Sequence, residues 1–200
     1  MPTDPRPLSR RALLRAGVSL PLALRLGAAG AFTLALTPER ADAADADETP
    51  AVMEGPYFKA KSPERSVIRE KDTKGMPLVV TGRVLSTKGV GVEKALIDVW
   101  QADGDGHYDL ETFRLRGHQY TAADGGYRLD TVVAGYYPGR TRHIHVKVQA
   151  PGQPILTTQL FFPNDPGNRA DGLYSSWLRM KTWEVDGGLA ASFSFVVRTA

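Results

Sequence analysis

Ala123-Asp124-Gly125-Gly126 runs directly into Tyr127-Arg128-Leu129-Asp130-Thr131-Val132-Val133. A tight Asp-Gly turn feeding a β-branched, alternating run is the signature of a β-hairpin. The same grammar recurs on both sides. Residues 77–85 are β-rich, and Lys88-Gly89-Val90-Gly91 turns the chain. Residues 95–101 read as a second strand, and Asp103-Gly104-Asp105-Gly106 turns again. His143 to Val148 and Thr157 to Phe161 alternate, and Ser192 to Val197 reads as a last strand. Short strands at this spacing, with little helical periodicity, predict an all-β fold, an antiparallel β-sandwich over residues 76–200. Residues 44–75 are charged and contain proline, and read as an irregular N-terminal arm. No repeat or low-complexity tract interrupts residues 44–200.

Residues 1–43 follow another logic. Ser9-Arg10-Arg11-Ala12-Leu13-Leu14 is a twin-arginine pattern ahead of an apolar run from about Ala16 to Leu36. Ala41-Asp42-Ala43 and Ala44-Asp45-Ala46 have the small-residue form that a signal peptidase accepts. A membrane anchor fits less well, because Pro21 and Arg25 lie inside the run and a mid-bilayer arginine costs at least ~2.5 kcal/mol. The expectation is a twin-arginine export signal, a periplasmic or extracellular address and no stable membrane anchor.

Charge follows from this division. Six of the 25 Lys and Arg and three of the 22 Asp and Glu precede residue 44, leaving nineteen of each sign. The net charge of +3 therefore belongs to the leader, and nothing favours a nucleic-acid partner. The absence of cysteine excludes disulfides, thiolate metal sites and cysteine nucleophiles. A remaining domain of about 155 residues buries ~70% of its unfolded surface and needs no covalent staple.

Only four histidines are present: His107, His118, His143 and His145. Strand side chains alternate faces, so His143 and His145 point the same way and form a pair of neighbouring metal-ligand candidates. A His-x-His alone is a weak signal. A cupin would add a nearby Glu and a later His, and a three-His zinc site another His. No His follows His145, and the next acid is Asp165. The candidates that remain are phenols: Tyr136 and Tyr137 ahead of a Pro138-Gly139 turn, and Tyr108 after the Asp-Gly-Asp-Gly turn. That turn lacks the twelfth-position Glu of a calcium loop; the residue there is Arg114. A tyrosine of ordinary pKa ~10 becomes a phenolate at neutral pH only beside a strongly Lewis-acidic cation. Two hard anionic oxygens with two imidazoles favour iron(III).

Four ordered blocks resemble the intradiol ring-cleavage dioxygenases, the catechol and protocatechuate dioxygenase group. Glu54-Gly55-Pro56-Tyr57 resembles the E-G-P-Y opening, and residues 99–108 resemble the W-Q-A-D-x-x-G-x-Y segment. Residues 135–145, Gly-Tyr-Tyr-Pro-Gly-Arg-Thr-Arg-His-Ile-His, resemble the segment carrying P-G-R-T-P-H-I-H. Residues 158–165 resemble T-Q-L-Y-F-x-x-D. The likeness covers about residues 53–175.

The resemblance implies non-haem Fe(III) held by Tyr108, Tyr137, His143 and His145. It implies that Tyr137 is displaced by a chelating substrate and helps take up its proton. It places Arg140 as a fixed charge stabilising the oxidised substrate, with Gln159 beside it. Gly55, Pro56 and Tyr57 would line the substrate mouth, with Tyr136 as pocket wall. Arg142 stands where relatives often carry Pro or a small residue, which makes it a candidate for binding a substrate carboxylate. His107 stands where Arg is common; it and His118 read as ordinary polar residues, and Trp100 as core. The implied partners are a small aromatic diol and O2, and a homo-oligomer is allowed. The competing expectations are an iron-free, transthyretin-like binding sandwich and a zinc-dependent hydrolase using the same histidine pair.

Overall fold

The computed structural model describes residues 46–200; the export-signal reading of residues 1–43 lies outside the described residues. Among the described residues nine strands form two sheets. They are β1 (Pro77–Ser86), β2 (Leu96–Trp100), β3 (Arg116–Tyr120), β4 (Gly126–Val132), β5 (His143–Gln149), β6 (Leu156–Phe161), β7 (Lys181–Val185), β8 (Gly188–Ser192) and β9 (Phe195–Val197). One sheet runs β4-β1-β8-β7, with β9 also on β1; the other runs β3-β2-β5-β6. Leu78, Val80 and Leu129 of the first face Ile97, Val99, Ile144, Val146 and Leu160 of the second in one apolar core. Alternation along each strand dictates this, because every second residue is apolar and must leave water.

The sandwich is as expected, with two refinements. β1 pairs with β8 and with β9 in parallel, so that sheet is mixed. The expected last strand, Ser192 to Val197, holds β9 and only the final residue of β8. It breaks at Phe193, where a Cβ on Gly82 would lie 1.6 Å from the Phe193 carbonyl oxygen. Only a glycine in β1 lets the chain cross there, and the Tyr127 hydroxyl ties the crossing by donating to that carbonyl at 2.9 Å.

Residues 46–76 contain no strand but bind both sheets. Val52 N donates to Thr157 O at 2.9 Å on β6, and His118 N on β3 donates to Pro63 O at 3.0 Å. Ile68 N donates to Asp130 O on β4 at 2.9 Å. Between the β6 and β3 anchors, residues 53–62 cross the outer face of the second sheet.

Candidate active site

The site lies under that crossing. His145 stands directly opposite Trp100 on β2 and Gln159 on β6, and Trp100 stands opposite Arg116 on β3. Opposed residues share a face. Arg116, Trp100, His145 and Gln159 therefore form one row on the face turned away from the apolar core, yet all four are buried. The arm and two loops cover them. The neighbouring β5 residues Ile144 and Val146 face the core.

His143 Nε2 and His145 Nε2 are 3.1 Å apart, and the Tyr108 hydroxyl is 3.1 Å from His145 Nε2. The Tyr137 ring lies 5.9 Å from the His143 ring and 5.8 Å from that of Tyr108, both between centroids. His143 Nδ1 meets the Thr141 carbonyl at 2.6 Å, which fixes that nitrogen as donor and leaves Nε2 as acceptor. His145 stacks on Trp100 at 4.7 Å and 8°, and its Nδ1 has no partner among the described residues. Two imidazole nitrogens and a phenol oxygen thus converge, with His143 Nε2 left as an acceptor. This is a donor set for a cation. Among the described residues no group of three or more His, Cys, Asp or Glu could hold a metal, so any site here needs the phenols.

Electrostatics agree. Burial pushes the His143 imidazole down to about 4 and that of His145 to about 2, with Arg140 also disfavouring their charge. Both imidazoles are neutral at pH 7. Burial, followed by the nearby Tyr137, pushes the Tyr108 phenol up, so it ionises only if a cation is present. The metal-free protein is accordingly expected to lose stability in acid. Unfolded histidines titrate near pH ~6.5. The unfolded chain gains protons below that pH that the folded chain refuses, so stability present above it is lost as pH falls towards 4. The melting temperature of metal-free protein is expected to fall steadily between pH 7 and 4; a flat profile contradicts the buried neutral pair.

Arg140 and Gln159 are adjacent. Arg140 Nη2 donates to Gln159 Oε1 at 2.5 Å, and Gln159 Nε2 donates to the Met53 carbonyl at 3.1 Å. Gly55 passes over the site, where an added Cβ would stand 3.4 Å from His145 Cε1. Tyr57 stacks on Tyr108 at 4.3 Å, and its carbonyl accepts from Arg116 Nη1 at 2.7 Å. Pro56 is exposed. Tyr136 and Arg142 sit to one side: the Tyr136 hydroxyl is 3.0 Å from both Asp165 oxygens, and the Arg142 guanidinium lies 4.5 Å above the Tyr136 ring and 3.6 Å from Asp165. Arg142 therefore already has a carboxylate neighbour. His107 is exposed, and His118 bonds Ser62 Oγ at 3.1 Å, at the arm's far anchor.

Three features escaped the sequence reading. Arg116 is a buried cation holding two loops, at the Tyr57 and Asp109 carbonyls. Asp171 grips Arg140 Nε at 2.9 Å. Lys147 pairs with Glu54 of the arm beneath the Phe58 ring. Only the alternation that puts Lys147 on the His145 face was readable beforehand.

The dioxygenase family model matches residues 53–192, a span holding Tyr108, Tyr137, His143 and His145. The chain belongs to the intradiol ring-cleavage dioxygenase family. It is 36% identical over 146 residues to hydroxyquinol 1,2-dioxygenase of Rhizobium sp. (strain MTP-10005), covering 60% of this chain and 50% of that protein. It is 33% identical over 140 residues to chlorocatechol 1,2-dioxygenase of Cupriavidus pinatubonensis, covering 57% and 54%. The chain thus spans about half the length of these curated relatives. Among solved structures, the dioxygenase domain of a dioxygenase–carbohydrate-binding protein fusion from Streptomyces sp. SirexAA-E superposes with a TM-score of 0.75 at 49% identity, covering 77% of this chain and 100% of that one. An intradiol ring-cleavage dioxygenase from Tetranychus urticae superposes at 0.69 with 25% identity, covering 76% and 95%.

Proposed function

We propose that this intradiol family member opens a catechol-type ring with O2 at non-haem iron(III) bound by Tyr108, Tyr137, His143 and His145. The observation that carries it is the convergence of His143 Nε2, His145 Nε2 and Tyr108 Oη within 3.1 Å steps, beside the Tyr137 ring. Iron(III), when bound, supplies the Lewis acidity that keeps phenols ionised at neutral pH and the oxidising power that makes a chelated catecholate reactive towards O2.

The protein's residues do the rest. Tyr137, half-buried beside Tyr108 and His143, would give way to the incoming diol, and its Oη would take up a hydroxyl proton. Arg140 is a fixed cation that opposes the charge developing on the ring oxygen as the ring is oxidised. Gly55, Tyr57 and the adjoining arm exclude water from the face of His145. The C–C bond between the two oxygenated carbons breaks, both O2 atoms enter the product, and a cis,cis-muconate-type dicarboxylate leaves. The substrate class follows the relatives, which are named for hydroxyquinol and chlorocatechol. We also propose export by the twin-arginine route, supported by Ser9 to Leu14 and the small-residue sites at 41–46. N-terminal sequencing of the extracytoplasmic protein tests this.

The test is the visible spectrum of purified protein before and after anaerobic catechol. A red-brown phenolate-to-iron band that shifts on addition, followed by oxygen uptake when air is admitted, is expected. A protein that stays colourless after ferric loading sinks the reading in favour of a zinc hydrolase or a metal-free sandwich.

A further inference from the structure

Asp171 lies in the loop between two short 3-10 turns, Pro166–Arg169 and Ser176–Leu178. Its side chain is 2% exposed. Two of its three side-chain bonds go to groups that shape the site, and the third ties its own loop. Asp171 Oδ2 accepts from Arg140 Nε at 2.9 Å and from Thr141 N at 2.9 Å, and Oδ1 accepts from Leu173 N at 2.8 Å. The second bond reaches a metal-ligand candidate, because the Thr141 carbonyl is the partner of His143 Nδ1 at 2.6 Å. One carboxylate thus holds the Arg140 head and pins the backbone that orients His143.

The loop that carries Asp171 is itself braced. Asp171 N donates to Gly167 O at 3.2 Å, and Tyr174 N donates to Asp171 O at 3.1 Å. The Tyr174 ring sits edge-on to Phe161 at 5.3 Å, and Phe161 stands opposite His143 across the β5–β6 ladder. Buried ion pairs are weak sources of stability, since desolvation offsets their attraction, and an apolar pair of similar size often serves as well. The pair here does what an apolar pair cannot. Nε of Arg140 goes to Asp171 and Nη2 to Gln159, so the planar guanidinium is clamped at two points and its orientation is set.

We propose that Asp171 is a positioning residue for ring cleavage: its carboxylate fixes the Arg140 guanidinium and, through Thr141, the imidazole of His143. The proposal rests on the roles given to Arg140 and His143 above, and its test separates the two. In metal-free protein with isotope-labelled arginine, the Arg140 Nε–H signal is expected to exchange slowly with solvent; Arg140→Lys identifies it by its loss. In Asp171→Asn the signal loses that protection. In iron-loaded protein, Asp171→Asn is expected to keep the phenolate band and KM while kcat falls by ~10–100-fold, the usual effect of losing an outer-shell partner. In an Arg140→Lys background the same change costs less than it does alone, because the share acting through Arg140 is already lost and only the share acting through Thr141 and His143 remains. Should Asp171→Asn fail to fold, Asp171→Glu, which keeps the charge one methylene further out, serves for both readings. An Nε–H as protected without Asp171 as with it, or losses that multiply in the double variant, overturns the proposal. A wild-type protein without an iron band overturns the function instead, and the exchange measurement still decides whether Asp171 fixes Arg140.

Discussion

His145→Ala is expected to give a folded, colourless protein that binds no iron(III) and takes up no oxygen with catechol. The reasons lie in its neighbours. His145 Nε2 stands between His143 Nε2 and the Tyr108 hydroxyl, 3.1 Å from each, so its removal breaks the donor set at the centre. Loss of a partner outside the ligand set already costs ~10–100-fold in affinity or activity. Loss of the residue at the centre of the proposed set is expected to exceed that, with turnover below ~1% of wild type. Folding survives because the ring lies outside the apolar core: the alternate residues Ile144 and Val146 make that core, while His145 packs on Trp100 under the arm. The emptied space costs on the order of 2–4 kcal/mol, as large-to-small changes at buried sites do. Iron content, the visible band and circular dichroism are the measurements. A variant that keeps full iron and colour removes His145 from the ligand set.

What was legible in advance follows from how local each signal is. Alternation in residues 127–133 and 143–148 and the glycine turns between them marked most of the sandwich. β3 escaped because Arg116-Gly117-His118-Gln119-Tyr120 has no apolar alternation; its face is made by Arg116 and His118, which the arm covers. β7 escaped because its residues are largely exposed and so carry no core signature. The Asp186-Gly187 turn that joins it to β8 was a readable hairpin signal. His143 and His145 were readable as one-faced, but not which face. That depends on the arm crossing the outside of the second sheet, a contact between residues far apart in sequence. Asp171 is the extreme case: it acts on Arg140 from 31 residues away and sits in no repeated pattern.

The two tyrosine loops are held together by glycines, and Gly106→Ala is the substitution that pries them apart. Gly106 has φ +87, and a Cβ there would stand 1.9 Å from the Tyr136 carbonyl oxygen. The obstacle is backbone, so no side chain can swing aside. The contact is locked from the other side too. Gly135 N donates to the Asp103 carbonyl at 2.7 Å, and a Cβ on Gly135 would lie 2.4 Å from Gly104 O. The loop bearing Tyr108 can therefore give way only by moving off the loop bearing Tyr137. Strain at such a φ costs about 1–3 kcal/mol, and overpacking adds ~1–3 kcal/mol. At ~2–4 °C per kcal/mol for a domain of this size, a melting temperature about 10 °C lower is expected. A displacement of ~1 Å between groups that must meet one substrate costs ~100-fold in rate. Gly152→Ala supplies the contrast. It has φ +73 but nothing within 4 Å of its added Cβ, so it bears the backbone strain alone. It is expected to lose a few degrees of stability and no activity. If Gly106→Ala melts with Gly152→Ala and keeps its rate, the two loops are not interlocked, and the spacing of Tyr108 and Tyr137 is set elsewhere.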